Sequence, residues 1–145
     1  MMLTRTIVLA AAACAAAAAG AGLSAQGPRT VWDGVFTATQ AERGWKSYVD
    51  QCSTCHGAEM KAGAGAPSLA GPEFQFSWNK KSVGELFDYA QNYMPPGQAG
   101  TLSSQQYADI VASVLRTNGF PASDGSELPA AKTDLDTIAI LAAKP

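Results

Sequence analysis

Between residues 39 and 119, apolar side chains recur at helical spacing in three stretches. Each is opened by a hydroxyl residue with Glu or Gln three places later. Such a pair marks a helix start, because the two side chains satisfy amides that have no partner in the first turn. Thr39-Gln40-Ala41-Glu42 predicts a helix over about 40–52, with Ala41, Gly44, Tyr48 and Cys52 on one face. A glycine inside a helix costs about 1 kcal/mol against alanine, so Gly44 points to a second helix crossing closely there. Ser82-Val83-Gly84-Glu85 opens a helix to about Asn92, with Val83, Leu86, Phe87 and Ala90 turned inward. Ser103-Ser104-Gln105-Gln106 opens a third, running to about Asn118 and closed by Gly119. Tyr107, Ile110, Val111, Val114 and Leu115 form its apolar face. No run alternates with the period of two that marks a strand.

The connecting stretches differ in character. Residues 26–38 read as an extended lead-in, with Val31, Trp32, Val35 and Phe36 laid against the domain surface. Residues 57–71 are a loop rich in glycine and alanine, and Phe74, Phe76 and Trp78 fall in an irregular segment. Proline and glycine forbid a regular element over Tyr93–Gly100; Pro95 pushes Met94 toward extended backbone, giving a stiff loop that displays one thioether. Residues 120–145 read as a tail, a short helix or an extended strap, packed on the domain.

Residues 1–25 have the make-up of a signal peptide: Arg5, an apolar run from Ile7 to Ala19, and small residues up to a cleavage point after Ala25. The run is too short and alanine-rich for a permanent span. Cys14 lacks the leucine three places earlier that a lipoprotein signal uses. The expected location is the periplasm, with no membrane span in the mature chain. The 145-residue chain then divides into 1–25 leader, 26–38 lead-in, 39–119 main domain and 120–145 tail.

Loss of the leader removes one basic residue and leaves 9 basic against 12 acidic groups, a formal net of −3. That balance argues against nucleic acid as a partner. It also leaves two cysteines, Cys52 and Cys55, in Cys52-Ser53-Thr54-Cys55-His56. C-x-x-C-H is the attachment sequence for a c-type haem: two neighbouring thiols each form a thioether with one vinyl group, and the following imidazole meets the iron from below. A thioredoxin-like pair should follow a strand in a βαβ pattern, and a structural zinc site needs about four ligands. Helical spacing precedes this motif, and His56 is the only histidine. With few large side chains in the mature chain, a buried haem is expected to supply core volume.

The other axial position is assigned by elimination. No second histidine exists; Met1 and Met2 leave with the leader; Met60 is only four residues after His56, on the tether side. Met94 lies 38 residues after His56 on its rigid loop and has the reach. The alternatives are a lysine, water or an open position. A proximal imidazole is usually oriented through its other nitrogen, and the Pro67 carbonyl is the candidate acceptor; the plainer alternative is that Pro67 only stiffens a turn. Trp78 is a candidate donor to a haem propionate, or simply a core aromatic. Iron ligated by His56 and Met94 has no place for a substrate, so the expected role is carrying electrons rather than catalysis.

These residues resemble class I cytochrome c, the small monohaem helical family, over about 39–118. Gly44 and Tyr48 match its glycine–aromatic pair in the N-terminal helix, Pro67 and Leu69 its proline-x-leucine, and Met94-Pro95 its distal methionine loop. Ser113 departs from the pattern, which has an aromatic residue there. The resemblance implies an all-α cytochrome c fold, three main helices wrapped around one covalently bound haem. The lead-in and the Met94–Gly97 loop are similar to those of periplasmic cytochromes that serve quinoprotein dehydrogenases, which implies acceptance from such an enzyme and donation to a further cytochrome or oxidase; a monomer is expected. Lys80 and Lys81 are candidate docking residues, or merely solvated. The competing expectations are a haem subunit held in a dehydrogenase or oxidase complex, and an open-site haem enzyme or gas sensor.

Overall fold

The computed structural model describes residues 28–145; the expected leader, with Cys14, lies outside them. In chain order the elements are strand β1 (Arg29–Thr30), a 3-10 turn (Val31–Asp33), and helices α1 (Ala38–Gln51), α2 (Ser53–His56), α3 (Pro72–Trp78), α4 (Val83–Tyr93), α5 (Ser104–Thr117) and α6 (Lys132–Leu135). Strand β2 (Ile138–Ala139) completes the order. The fold is all-α, with α1, α4 and α5 as the long helices.

Local chemistry sets the ends of α4 and α5. Ser82 and Glu85 form a complete capping box at the first, Ser103 and Gln106 at the second. α5 ends with Gly119 at φ +81°, its N–H donating to the Arg116 carbonyl (2.9 Å) and the Phe120 N–H to that of Leu115 (3.2 Å). That is a Schellman closure, sealed by the buried side chains of Leu115 and Phe120.

α1 begins two residues earlier than predicted. Thr37, not Thr39, caps it, accepting from the Gln40 N–H at 3.0 Å. The Gln40 side chain cannot complete a box with Thr37 because it is spent elsewhere. Its Nε2 donates to the Leu128 carbonyl (3.0 Å) and its Oε1 accepts from the Leu128 N–H (2.7 Å), in a fully buried position.

α1 crosses α5 at Gly44. A Cβ built on Gly44 would stand 1.7 Å from the Asp109 carbonyl oxygen, so only glycine permits this approach. Beside the crossing, Arg43 holds the Asp109 carboxylate with two hydrogen bonds (3.0 and 3.1 Å) and reaches Glu127 in the tail. Ser113, at the position where an aromatic was expected, is buried and turns its hydroxyl back to the Ile110 carbonyl (2.7 Å).

Two sequence expectations are corrected. The segment around Phe74, Phe76 and Trp78 is helical, not irregular: Pro72 occupies its first turn after Gly71, and only Phe74 is buried, with Phe76 93% exposed. The tail combines the two alternatives, short helix α6 and after it the extended strand β2. The lead-in is not simply extended or superficial: β1 pairs in parallel with β2 (Arg29 with Ile138, Thr30 with Ala139), which contradicts the expectation of no strand.

The two chain ends thereby supply core. Val31, Val35 and Phe36 from the lead-in and Leu128, Leu135, Ile138 and Ile140 from the tail are all buried. They join Ala41, Tyr48, Phe74, Phe87, Tyr107 and Leu115 of the helices in one cluster. The strap continues onto the α3–α4 connection through Lys80 N–H to the Ile140 carbonyl (2.7 Å) and Ile140 N–H to that of Lys81 (2.8 Å).

Candidate functional site

The Cys52–His56 turn grows directly out of α1. Cys52 is the last cap of that helix, its N–H still bonded to the Tyr48 carbonyl (2.8 Å). The Cys55 and His56 N–H groups both turn back onto the Cys52 carbonyl (3.1 and 3.0 Å). This single helical turn gathers two free thiols and one imidazole. Cys55 is exposed, Cys52 half-buried and His56 buried. Burial, and then the neighbouring Cys55, push the Cys52 thiol up to about 11, so it stays protonated at neutral pH. The Tyr48 hydroxyl, pushed up to about 12 by burial, stays protonated too and donates to the Gly57 carbonyl, tying the end of the turn to α1.

His56 Nδ1 lies 2.8 Å from the Pro67 carbonyl oxygen. A carbonyl only accepts, so Nδ1 carries the proton and Nε2 keeps its lone pair for a metal. The Pro67 loop is itself braced. Leu69 N–H donates to the Met60 carbonyl (2.8 Å). The Asn118 side chain, at the end of α5, donates to the Leu69 carbonyl (2.9 Å) and accepts from the Gly71 N–H (3.0 Å). Met60 is fully buried in the core, a packing role.

Met94 lies on a separate element, capping the end of α4 with extended backbone (φ −126°, ψ 144°) before a cis bond to Pro95. Its carbonyl accepts from the Tyr107 hydroxyl of α5 at 2.8 Å. Trp78 lies apart from the Cys52–His56 turn in the chain, at the end of α3. It packs edge-on against Tyr89 (centroids 5.8 Å apart), with the Lys81 ammonium 4.8 Å above its ring. Tyr89 in turn meets Tyr93, the neighbour of Met94 (5.1 Å). The structure thus groups Cys52, Cys55, His56 and Pro67 on one loop system and puts Met94 and Trp78 on two others. Sequence reasoning missed the hydroxyl contacts of Tyr48 and Tyr107. The available signal was a tyrosine on each apolar helix face, since a buried phenol needs a partner for its O–H.

The donor set fits a c-type haem. Two adjacent thiols, an imidazole whose distal nitrogen is left as the ligand by its bond to Pro67, and a thioether on a stiff loop are the groups that cofactor uses. Among the described residues, no cluster of three or more His, Cys, Asp or Glu side chains offers an alternative metal site.

A family model described as cytochrome c oxidase, cbb3-type, subunit III matches residues 39–112, about half of the chain. The protein belongs to this family and is a class I c-type cytochrome, a haem protein of electron transfer. No curated protein and no solved structure matches it.

Proposed function

We propose that the protein is a periplasmic carrier of single electrons, with one haem bound through Cys52 and Cys55 and its iron held by His56 and Met94. The observation that carries this reading is the His56–Pro67 hydrogen bond directly after the C-x-x-C turn. It fixes the tautomer and orientation of the chain's only histidine, as a permanent axial ligand requires. Of the two thioethers among the described residues, Met60 is spent in the core, and Met94, with extended backbone backed by Pro95, is the one we assign as second ligand. When bound, the haem supplies a one-electron couple, and thioether ligation favours its reduced state. The protein's own part is to hold the ligands still, so that little rearrangement accompanies the change of charge. Trp78 is the proposed donor to a propionate.

The leader composition supports export to the periplasm. A quinoprotein dehydrogenase as donor and a further cytochrome or oxidase as acceptor is the partnership we favour, with Lys80 and Lys81 exposed for transient docking. A second reading, a haem subunit held permanently in an oxidase complex, is favoured by the matched family's description. Among the described residues no helix is long and apolar enough to cross a membrane.

The test is voltammetry of the haem-loaded protein together with carbon monoxide addition to its reduced form. A single reversible one-electron wave and no carbon monoxide adduct at neutral pH are expected. Ready adduct formation overturns the closed-site carrier. Gel filtration with candidate oxidases and dehydrogenases separates the two readings, since a stable equimolar complex selects the subunit.

A further inference from the structure

We infer that Tyr107 is the positioning residue of the Met94 loop, holding the thioether against displacement by other ligands. The inference rests on Met94 being the axial ligand proposed above. Tyr107 stands in the first turns of α5 and is 2% exposed. Its hydroxyl does two things at once. It donates to the Met94 carbonyl (2.8 Å) and accepts from the Gly100 N–H (3.1 Å). One oxygen therefore ties both ends of the Met94–Gly100 loop to a helix. That helix is locked to α1, the helix leading into His56, by the Gly44–Asp109 approach.

The rest of the loop has little else to hold it. Inside it, Gln98 N–H bonds the Pro95 carbonyl (2.8 Å), a turn that shapes the loop without fastening it to the domain. Residues Pro96 to Gly100 are exposed. At the start of the loop, Met94 N–H still closes the last turn of α4 on the Ala90 carbonyl (3.0 Å). Without the phenol oxygen, the Met94 carbonyl and the Gly100 N–H would turn to water, and the loop could swing away from α5. A thioether is a weak, neutral ligand, so its hold on iron depends on the loop staying in place.

The variant is Tyr107→Phe in the haem-loaded protein. It keeps the buried ring and removes only the oxygen. Two readouts follow the loop: the pH at which the ferric methionine-to-iron charge-transfer band disappears, and the affinity of the ferric protein for added imidazole. Ser113→Ala is the control, losing a buried hydroxyl from the same helix that bonds only within it. Tyr107→Phe should lose the band about one pH unit earlier and bind imidazole about ten-fold more tightly, the scale of one to two lost hydrogen bonds. Ser113→Ala should match the wild type in both. Wild-type behaviour of Tyr107→Phe, or equal shifts in both variants, overturns the inference. A wild-type protein without the band fails at the ligand itself, which removes Met94 and this role together.

Discussion

Gly44 of α1 and Asp109 of α5 meet backbone to backbone, so closely that the Asp109 carbonyl oxygen fills the space a Cβ on Gly44 would occupy. This contact sets the angle at which the helix leading into the haem-attachment turn lies on the helix that braces the Met94 loop. Gly44→Ala must push the two helices apart or bend one of them. A loss of about 3 kcal/mol or more in urea unfolding is expected, at the upper end of overpacking. Gly125→Ala, where an added Cβ meets nothing, should change stability by less than about 1 kcal/mol.

Gln40 spans the gap between α1 and the tail by bonding both backbone groups of Leu128 in a fully buried setting. Gln40→Leu leaves a donor and an acceptor without partners, a loss of about 2–4 kcal/mol. Amide exchange at Leu128 should accelerate in this variant well beyond that at Val111 in α5. Equal acceleration at both sites would show only global destabilisation, not a local clamp.

The Arg43–Glu127 pair gives a small acid-sensitive contribution. The hydrogen bond from Arg43 holds the Glu127 carboxyl below its ordinary value of 4.5. A depressed folded-state value stabilises the fold above the unfolded one, and the contribution is lost as pH falls through the folded value. Both side chains are about two-fifths exposed, so the contribution is under about 1 kcal/mol. Wild type should exceed Glu127→Gln in stability at pH 7. The difference should shrink as pH falls below 4.5 and vanish once the carboxyl is protonated in the folded protein as well. A gap that does not shrink on acidification would contradict this origin.

Cys52 and Cys55 are expected to hold the haem by independent covalent bonds. Haem in the wild type should resist acid–acetone extraction. It should also resist in Cys52→Ala and in Cys55→Ala, each with one thioether left, but be released from the double variant. Release from the wild type would contradict covalent attachment.

What could be read in the sequence was what nearest neighbours decide. The capping boxes at Ser82 and Ser103 and the closure at Gly119 depend on residues within a few positions, and all three stand as predicted. The start of α1 was misplaced because two overlapping signals, at Thr37 and Thr39, both satisfy the local rule. The choice between them depends on contacts beyond the helix, including Leu128, which takes the Gln40 side chain. α3 spans seven residues, too few for periodicity to register, although Gly71-Pro72 marked its start. The β1–β2 pairing joins residues more than a hundred positions apart, and no local pattern announces it. At the candidate site, the C-x-x-C-H spacing is written in the chain. The braces are not: the Asn118 clamp on the Pro67 loop and the Tyr107 clamp on the Met94 loop exist only once α5 is packed.

The proposed carrier stands or falls on iron held by both His56 and Met94. The decisive measurement is the ferric spectrum of the haem-loaded protein at neutral pH, with Met94→Ala recorded beside it. A low-spin spectrum with a methionine-to-iron charge-transfer band at the red edge of the visible, lost in Met94→Ala, is the predicted result. A high-spin wild-type spectrum, or a band that survives the substitution, would contradict it.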